Sequence, residues 1–221
     1  MAFGEVGTAL SKIKSPAVNL ADTFAFSGTV TGFDKTPLTL LSTFTSDGSD
    51  ANATFDSSII TDAFDEYLFI FNNIHPETDG VELTFNVSID NGSNYNIAKT
   101  STAFWSEQVE SGGGQLQYRT GQDLAQGTGE QIIMNDLGNG NDEAGAGVMR
   151  LFNPSSTTFV KHFVCRHQYY HFGSADGNTA GYAIDNYTAG YANTTSAINN
   201  IRFIMSSGEI QGGTISLFGV A

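Results

Sequence analysis

The chain has 221 residues, 40% of them hydrophobic, and its 9 basic and 23 acidic side chains leave a net charge of −14. That length suffices for one all-β domain with its own core, and the acidic surplus disfavours a phosphate backbone or an anionic membrane surface as partner. A single cysteine, Cys165, excludes an intrachain disulfide framework, and no apolar run approaches the ~20 residues of a membrane span.

Seventeen phenylalanines and 25 glycines against 4 prolines fit aromatic strands joined by many tight turns. No charged stretch followed by an apolar run opens the chain, so the expectation is synthesis in the cytoplasm without export by a signal peptide. Residues 1–20 read as a short N-terminal arm, with Lys12, Lys14 and Pro16, that is either a frayed terminus or docks on a neighbouring subunit. Residues 21–221 read as the single domain. Strands are expected at Asp22–Val30 and Pro37–Thr45, with Gly32 and Asp34 in the turn between them. Asp47, Asp50 and Asp56 offer oxygen ligands for calcium, but their spacing misses the EF-hand pattern and lacks its closing Glu. An Asx-rich turn is the simpler reading. A short strand over Thr54–Thr61 follows.

The stretch from Phe64 to Ser93 carries the clearest pattern. Tyr67, Phe69 and Phe71 alternate with Leu68 and Ile70, and beyond a His-Pro-Glu-Thr-Asp-Gly turn Leu83, Phe85, Val87 and Ile89 alternate with Glu82, Thr84, Asn86 and Ser88. The first strand is apolar on both faces, as between two layers, whereas the second has one polar face directed at solvent. Together they predict a central hairpin.

Asp90-Asn91-Gly92 predicts a tight turn into a strand at Tyr95–Lys99, followed by a strand at Thr100–Glu107. A glycine-rich region comes next, with short strands at Leu116–Tyr118 and Ile132–Met134. Loops this long are often functional. Periodicity returns at Gly147–Asn153 and Thr157–Tyr170. A further glycine-rich loop then contains TAGYA twice, at Thr179–Ala183 and Thr188–Ala192. A turn at Ile184–Tyr187 would set Tyr182 and Tyr191 side by side, making Tyr182, Tyr187 and Tyr191 the candidate binding residues, although rings that simply pack over the end of the β core are the simpler reading. Ala197–Met205 and Gly213–Val220 are expected to close the chain as a hairpin.

Three constellations could carry chemistry, and each is weak. Cys165, His167 and His171 share a strand face at even spacing, yet no paired-ligand motif supports a metal. No GxSxG elbow or cysteine-protease signature surrounds Cys165 or any serine. Asp62, Asp65, Glu66, Glu77, Asp79 and Glu82 crowd the predicted central hairpin, but a solvated acidic rim is the simpler account than a glycosidase pair. The sequence therefore predicts no catalytic residue, no metal and no cofactor.

The segments Tyr67–Tyr95 and Ala197–Val220 resemble a pattern of small virion structural proteins of tailed, especially marine, bacteriophages. In that pattern a strand ends in an Asn-Ile-Pro-type turn, an Asp-Gly and a glycine-rich hairpin follow, and the chain closes on Ile-x-x-Gly-x-Ile-x-Leu-Tyr/Phe-Gly. Here His75 precedes Pro76, and Phe218 stands at the usual tyrosine position. The resemblance implies an antiparallel β-sandwich, jelly-roll-like, on the outside of a virus particle. It further implies a non-enzymatic homo-oligomer that contacts other virion proteins of the capsid or tail, as a decoration or tail-surface subunit. The alternative is a tail-fibre-like module whose tyrosine-rich loop grips host surface glycan.

Overall fold

A computed structural model describes residues 37–171 and 181–220. All of these lie in the unit spanning Lys35–Ala221. The expected arm at residues 1–20, the strand Asp22–Val30 and the start of the TAGYA region lie outside the described residues.

Twelve strands and no helix occur among the described residues: β1 Leu38–Thr45, β2 Ala53–Phe55, β3 Glu66–Pro76, β4 Val81–Ser88, β5 Lys99–Val109, β6 Gly114–Tyr118, β7 Gln131–Leu137, β8 Gly145–Phe152, β9 Lys161–His171, β10 Tyr182–Ala192, β11 Asn200–Met205 and β12 Ile210–Val220. Every pairing is antiparallel. The longer wall runs β6-β5-β10-β9-β8-β3-β12-β1, and the shorter runs β7-β4-β11-β2. One pairing, Leu137 with His171, joins β7 to β9 at a corner. On the opposite side the Ile210 amide donates to the Asp50 carbonyl at 2.8 Å, bringing the segment before β2 to the start of β12. The sheet is thus nearly closed and barrel-like.

Burial follows the alternation of the sequence. Tyr67, Phe69 and Phe71 of β3 are buried, and Leu68 on the other face is buried too. Phe203 of β11 is the ring on which the walls meet. Phe69 and Phe71 approach it edge-on at 5.3 and 5.1 Å between centroids, while Phe55 and Phe85 flank it at 6.3 Å each. Phe85 also meets Phe163 of β9 at 5.0 Å.

Several expectations are corrected. β3 and β4 are not a hairpin: β3 pairs with β12 and β8, and β4 with β11 and β7. Likewise β11 and β12 pair with other strands. Both connections are corners that cross from wall to wall, and their backbones bond each other. The Glu77 amide donates to the Glu209 carbonyl, and the Ser206 amide to the Glu82 carbonyl, each at 2.9 Å. A turn whose amides find partners in a second turn need not fold its own flanking strands together.

Asn91 and Gly92 adopt the positive φ expected of the turn, but Tyr95–Ala98 is not a strand. This segment instead lies against the polar face of β4, so Thr84, Asn86 and Ser88 are buried rather than solvated. The strand expected over Thr54–Thr61 shrinks to β2, because the Ile59 and Ile60 amides turn back onto the Asp56 carbonyl.

The second TAGYA copy, predicted as loop, is the end of the 11-residue strand β10. Its Gly190 serves close packing, since a Cβ there would stand 2.4 Å from the Thr100 carbonyl oxygen of β5. No turn forms at Ile184–Tyr187.

Phe203→Ala should cost about 3–5 kcal/mol, as removal of a buried phenylalanine ring does. Val164→Ala, at a position 46% exposed, should stay within about 0.5 kcal/mol. Urea unfolding of both variants checks the contrast. Equal midpoints would show that the walls do not depend on Phe203.

Candidate functional site

The solvent-facing side of the longer wall holds an aromatic and apolar row laid out by strand register. Tyr118 of β6 pairs with Phe104 of β5, Phe104 with Tyr187 of β10, Tyr187 with Arg166 of β9, and Arg166 with Val148 of β8. These residues share a face because each strand alternates sides, so one register fixes them all. Phe104 is 41% exposed, Leu116 beside the row 72%, and Val164 also stands out from this face.

The rings in this row are already covered. Phe104 and Tyr187 stack at 4.9 Å with an interplanar angle of 5°. Arg166 places its guanidinium 5.0 Å from the centroid of the Tyr187 ring. The same guanidinium makes a two-pronged pair with Asp185, Nε to Oδ1 at 3.0 Å and Nη2 to Oδ2 at 2.8 Å. That hydrogen bond holds the Asp185 carboxyl below the usual carboxylate range. Arg150 on the same face pairs with Glu66. Both arginines of this face are therefore ion-paired, and the nearest unpaired acid is Asp123, whose carboxylate accepts from the Tyr118 hydroxyl at 2.6 Å at the end of the row.

The three candidate tyrosines are not brought together. Tyr187 and Tyr191 lie on the outer face of β10, whereas Tyr182, an odd number of residues from both, points to the other face and is buried. Tyr182 lines a cleft of about 240 Å³ with Glu107, Val109, Gly112–Gly114 and Gln115. This is below the roughly 300–1,000 Å³ usual for small-molecule pockets. Tyr191 stands near His162, with centroids 6.1 Å apart, and its hydroxyl accepts from Gln126 Nε2 at 3.4 Å.

The other candidates separate in the same way. Cys165 and His167 do face one side of β9, but that side is the core. Burial pushes the Cys165 thiol well above its ordinary range, leaving no thiolate for attack. Among the described residues no three His, Cys, Asp or Glu side chains are placed to hold a metal ion. Asp47 and Asp56 each accept from the amide and hydroxyl of the serine two residues on, as Asx turns do. Because β3 is an 11-residue strand, Asp62, Asp65 and Glu66 are separated from Glu77, Asp79 and Glu82 by roughly 30 Å. A glycosidase pair needs about 5–10 Å.

A buried polar layer was not legible in the sequence. Lys99 and Lys161 are wholly inaccessible and lie in register on either side of Ala192. Lys161 Nζ donates to the Thr194 and Ser196 carbonyls at 3.1 and 2.6 Å. Lys99 Nζ donates to Asn86 Oδ1 at 2.7 Å and to the Ile97 carbonyl at 3.1 Å. Burial pushes the Lys99 ammonium down to about 8, opposed by the charge of Glu130. A second buried row consists of Trp105, Asn186 and His167, in register across β5, β10 and β9. Gly147 opposite His167 leaves room for the imidazole, since a Cβ there would come 2.6 Å from His167 Cδ2. The imidazole meets Phe71 edge-on at 4.9 Å.

No family model, curated protein or solved structure matches the chain.

His167 generates a pH prediction. Burial lowers its affinity for a proton from the ordinary 6.5 to about 3, so below pH 6.5 the unfolded chain binds a proton that the folded chain refuses. Stability present above pH 6.5 is then lost as pH falls toward 3, at up to about 1.4 kcal/mol per pH unit. His167→Leu should flatten that slope in the window just below pH 6.5, read by urea unfolding at each pH. An unchanged slope would mean that His167 is protonated in the fold.

Proposed function

We propose that this chain is a non-enzymatic structural protein on the outside of a bacteriophage particle, a capsid decoration or tail-surface subunit that assembles as a homo-oligomer. The observation that carries the reading is the exposed row Tyr118, Phe104, Tyr187, Arg166 and Val148. Contiguous apolar surface of this kind marks contact sites, and Tyr, Phe and Arg are the residues enriched in the centres of protein interfaces. Its ion-paired arginines offset Glu66 and Asp185 on this face, which lessens the local like-charge repulsion between copies of so acidic a chain. The resemblance of Tyr67–Tyr95 and Ala197–Val220 to virion proteins supports the location. The edge-on meeting of β3 and β11 rings supports the finer architecture of a jelly-roll-like sandwich.

Stacking on Tyr187 is a poor way to hold a sugar here, because Phe104 covers one side of its ring and Arg166 approaches the ring as well. Tyr191 alone favours the second reading, a module recognising host surface glycan. Gln126 beside it also bonds Thr100 Oγ1 and Asn193 Nδ2, at 2.6 and 2.7 Å, giving a polar rim next to one ring.

The test uses particles purified from the producing host. The wild-type chain should be found on them, and Phe104→Asp combined with Val164→Asp should fold normally yet be lost from the particle and fall in oligomer mass. Absence of the wild-type chain from the particles, or wild-type retention of the double variant, would overturn the reading. If Tyr191→Ala abolishes adsorption to host cells while retention is unchanged, the glycan reading replaces it.

A further inference from the structure

We infer that Lys99 and Asn86 are poised to form an intramolecular amide cross-link, with Glu130 as the proton carrier, that joins β5 covalently to β4. The pair is geometrically ready. Both side chains are buried, and Lys99 Nζ lies 2.7 Å from Asn86 Oδ1, one bond from the carbon it would attack. The Asn86 carbonyl also accepts from the Val87 amide at 2.9 Å, a donor placed where negative charge develops during acyl transfer. Asn86 Nδ2 faces three carbonyl oxygens, those of Tyr95, Thr128 and Gly129, at 2.9, 3.2 and 3.4 Å. Three acceptors around one nitrogen suit the protonated amine that must depart.

Glu130 follows Gly129 directly in the chain. Its Oε1 accepts from Arg202 Nη2 at 2.7 Å, while its buried Oε2 has no hydrogen-bond partner and so stands outside hydrogen-bond reach of Lys99 Nζ; a rotation of the Glu130 side chain must bring it there before a proton passes. An unpartnered buried carboxylate oxygen is costly to keep, and a carboxylate is the group that such a proton transfer requires. Burial of Lys99 raises the share of free amine, the nucleophilic form.

The step balances without an oxidant or a co-reactant. The Lys99 ammonium loses a proton to Glu130, and the amine lone pair attacks Asn86 Cγ to form the new carbon–nitrogen bond. Glu130 passes protons from Nζ to Nδ2, the bond from Cγ to Nδ2 breaks, and nitrogen leaves as ammonium carrying the protons that the lysine brought. The product is a secondary amide between the two side chains.

Mass spectrometry of the purified wild-type chain, held at mildly alkaline pH, tests the inference. The expected intact mass is one ammonia below that of the sequence. Trypsin should no longer cut after Lys99, so residues 36–119 should come off as one fragment lacking an ammonia. Glu130→Gln keeps the bond to Arg202 and should retain the full mass. A full-mass wild-type chain would overturn the inference. So would ammonia loss with normal cutting after Lys99, the signature of ring closure at Asn91-Gly92 or Asn139-Gly140. Cross-linking of Glu130→Gln at the wild-type rate would overturn the role of Glu130.

Discussion

The fold depends on one constraint, that two walls of unequal length must bury the same cluster of rings. Phe203 of the shorter wall meets Phe69 and Phe71 of the longer, and Phe85 meets Phe163. A nearly closed antiparallel sheet with no helix among the described residues to cover it has no other place to put aromatic side chains of this size. Once Tyr67, Phe69 and Phe71 point inward, the period of two sends Leu68 and Ile70 outward, and the same holds along every strand paired beside them. The apolar outer row is thus positioned by the core.

The two ends of the interior are closed by different chemistry. At one end the corners β3–β4 and β11–β12 exchange backbone hydrogen bonds, so each satisfies the groups the other leaves open. At the other, Lys99 and Lys161 reach from the starts of β5 and β9 to the carbonyls of Ile97, Thr194 and Ser196. Segments without regular structure have carbonyls to spare, and an ammonium can satisfy several of them at once. A buried lysine is costly when alone, and this donor capacity is what offsets the cost here.

The sequence made the strands legible where large apolar residues alternate: β1, β3, β4, β8, β9 and the C-terminal strand were all readable from period alone. Partnering was not. A corner and a hairpin have the same local signature, a strand, a few polar residues with Gly, and a strand. What separates them is whether a distant turn supplies the hydrogen bonds, as Glu209 does for Glu77. β10 was hidden because Ala183, Ala189 and Gly190 look like loop residues, although the neighbouring backbone of β5 needs that smallness. The outer row is half legible: Tyr187 and Tyr191 stand out, whereas Phe104 and Arg166 lie inside the expected strands Thr100–Glu107 and Thr157–Tyr170 with nothing to single them out. Reading β5, β9 and β10 as neighbours would have aligned them.

The buried lysines are the instructive failure, because a lysine in sequence reads as solvent-exposed almost everywhere. Asn86 gives a hint: it sits at a polar position of β4 between Thr84 and Ser88, which are buried as well. A polar face on a strand is solvated only if nothing crosses it. Here Tyr95–Ala98 and Thr128–Gly129 do cross it, and their carbonyls then need donors. Asn86 supplies two and Lys99 up to three, so the amine and the amide are brought together as a consequence of satisfying the backbone. The contact between them follows from hydrogen-bond accounting at this layer.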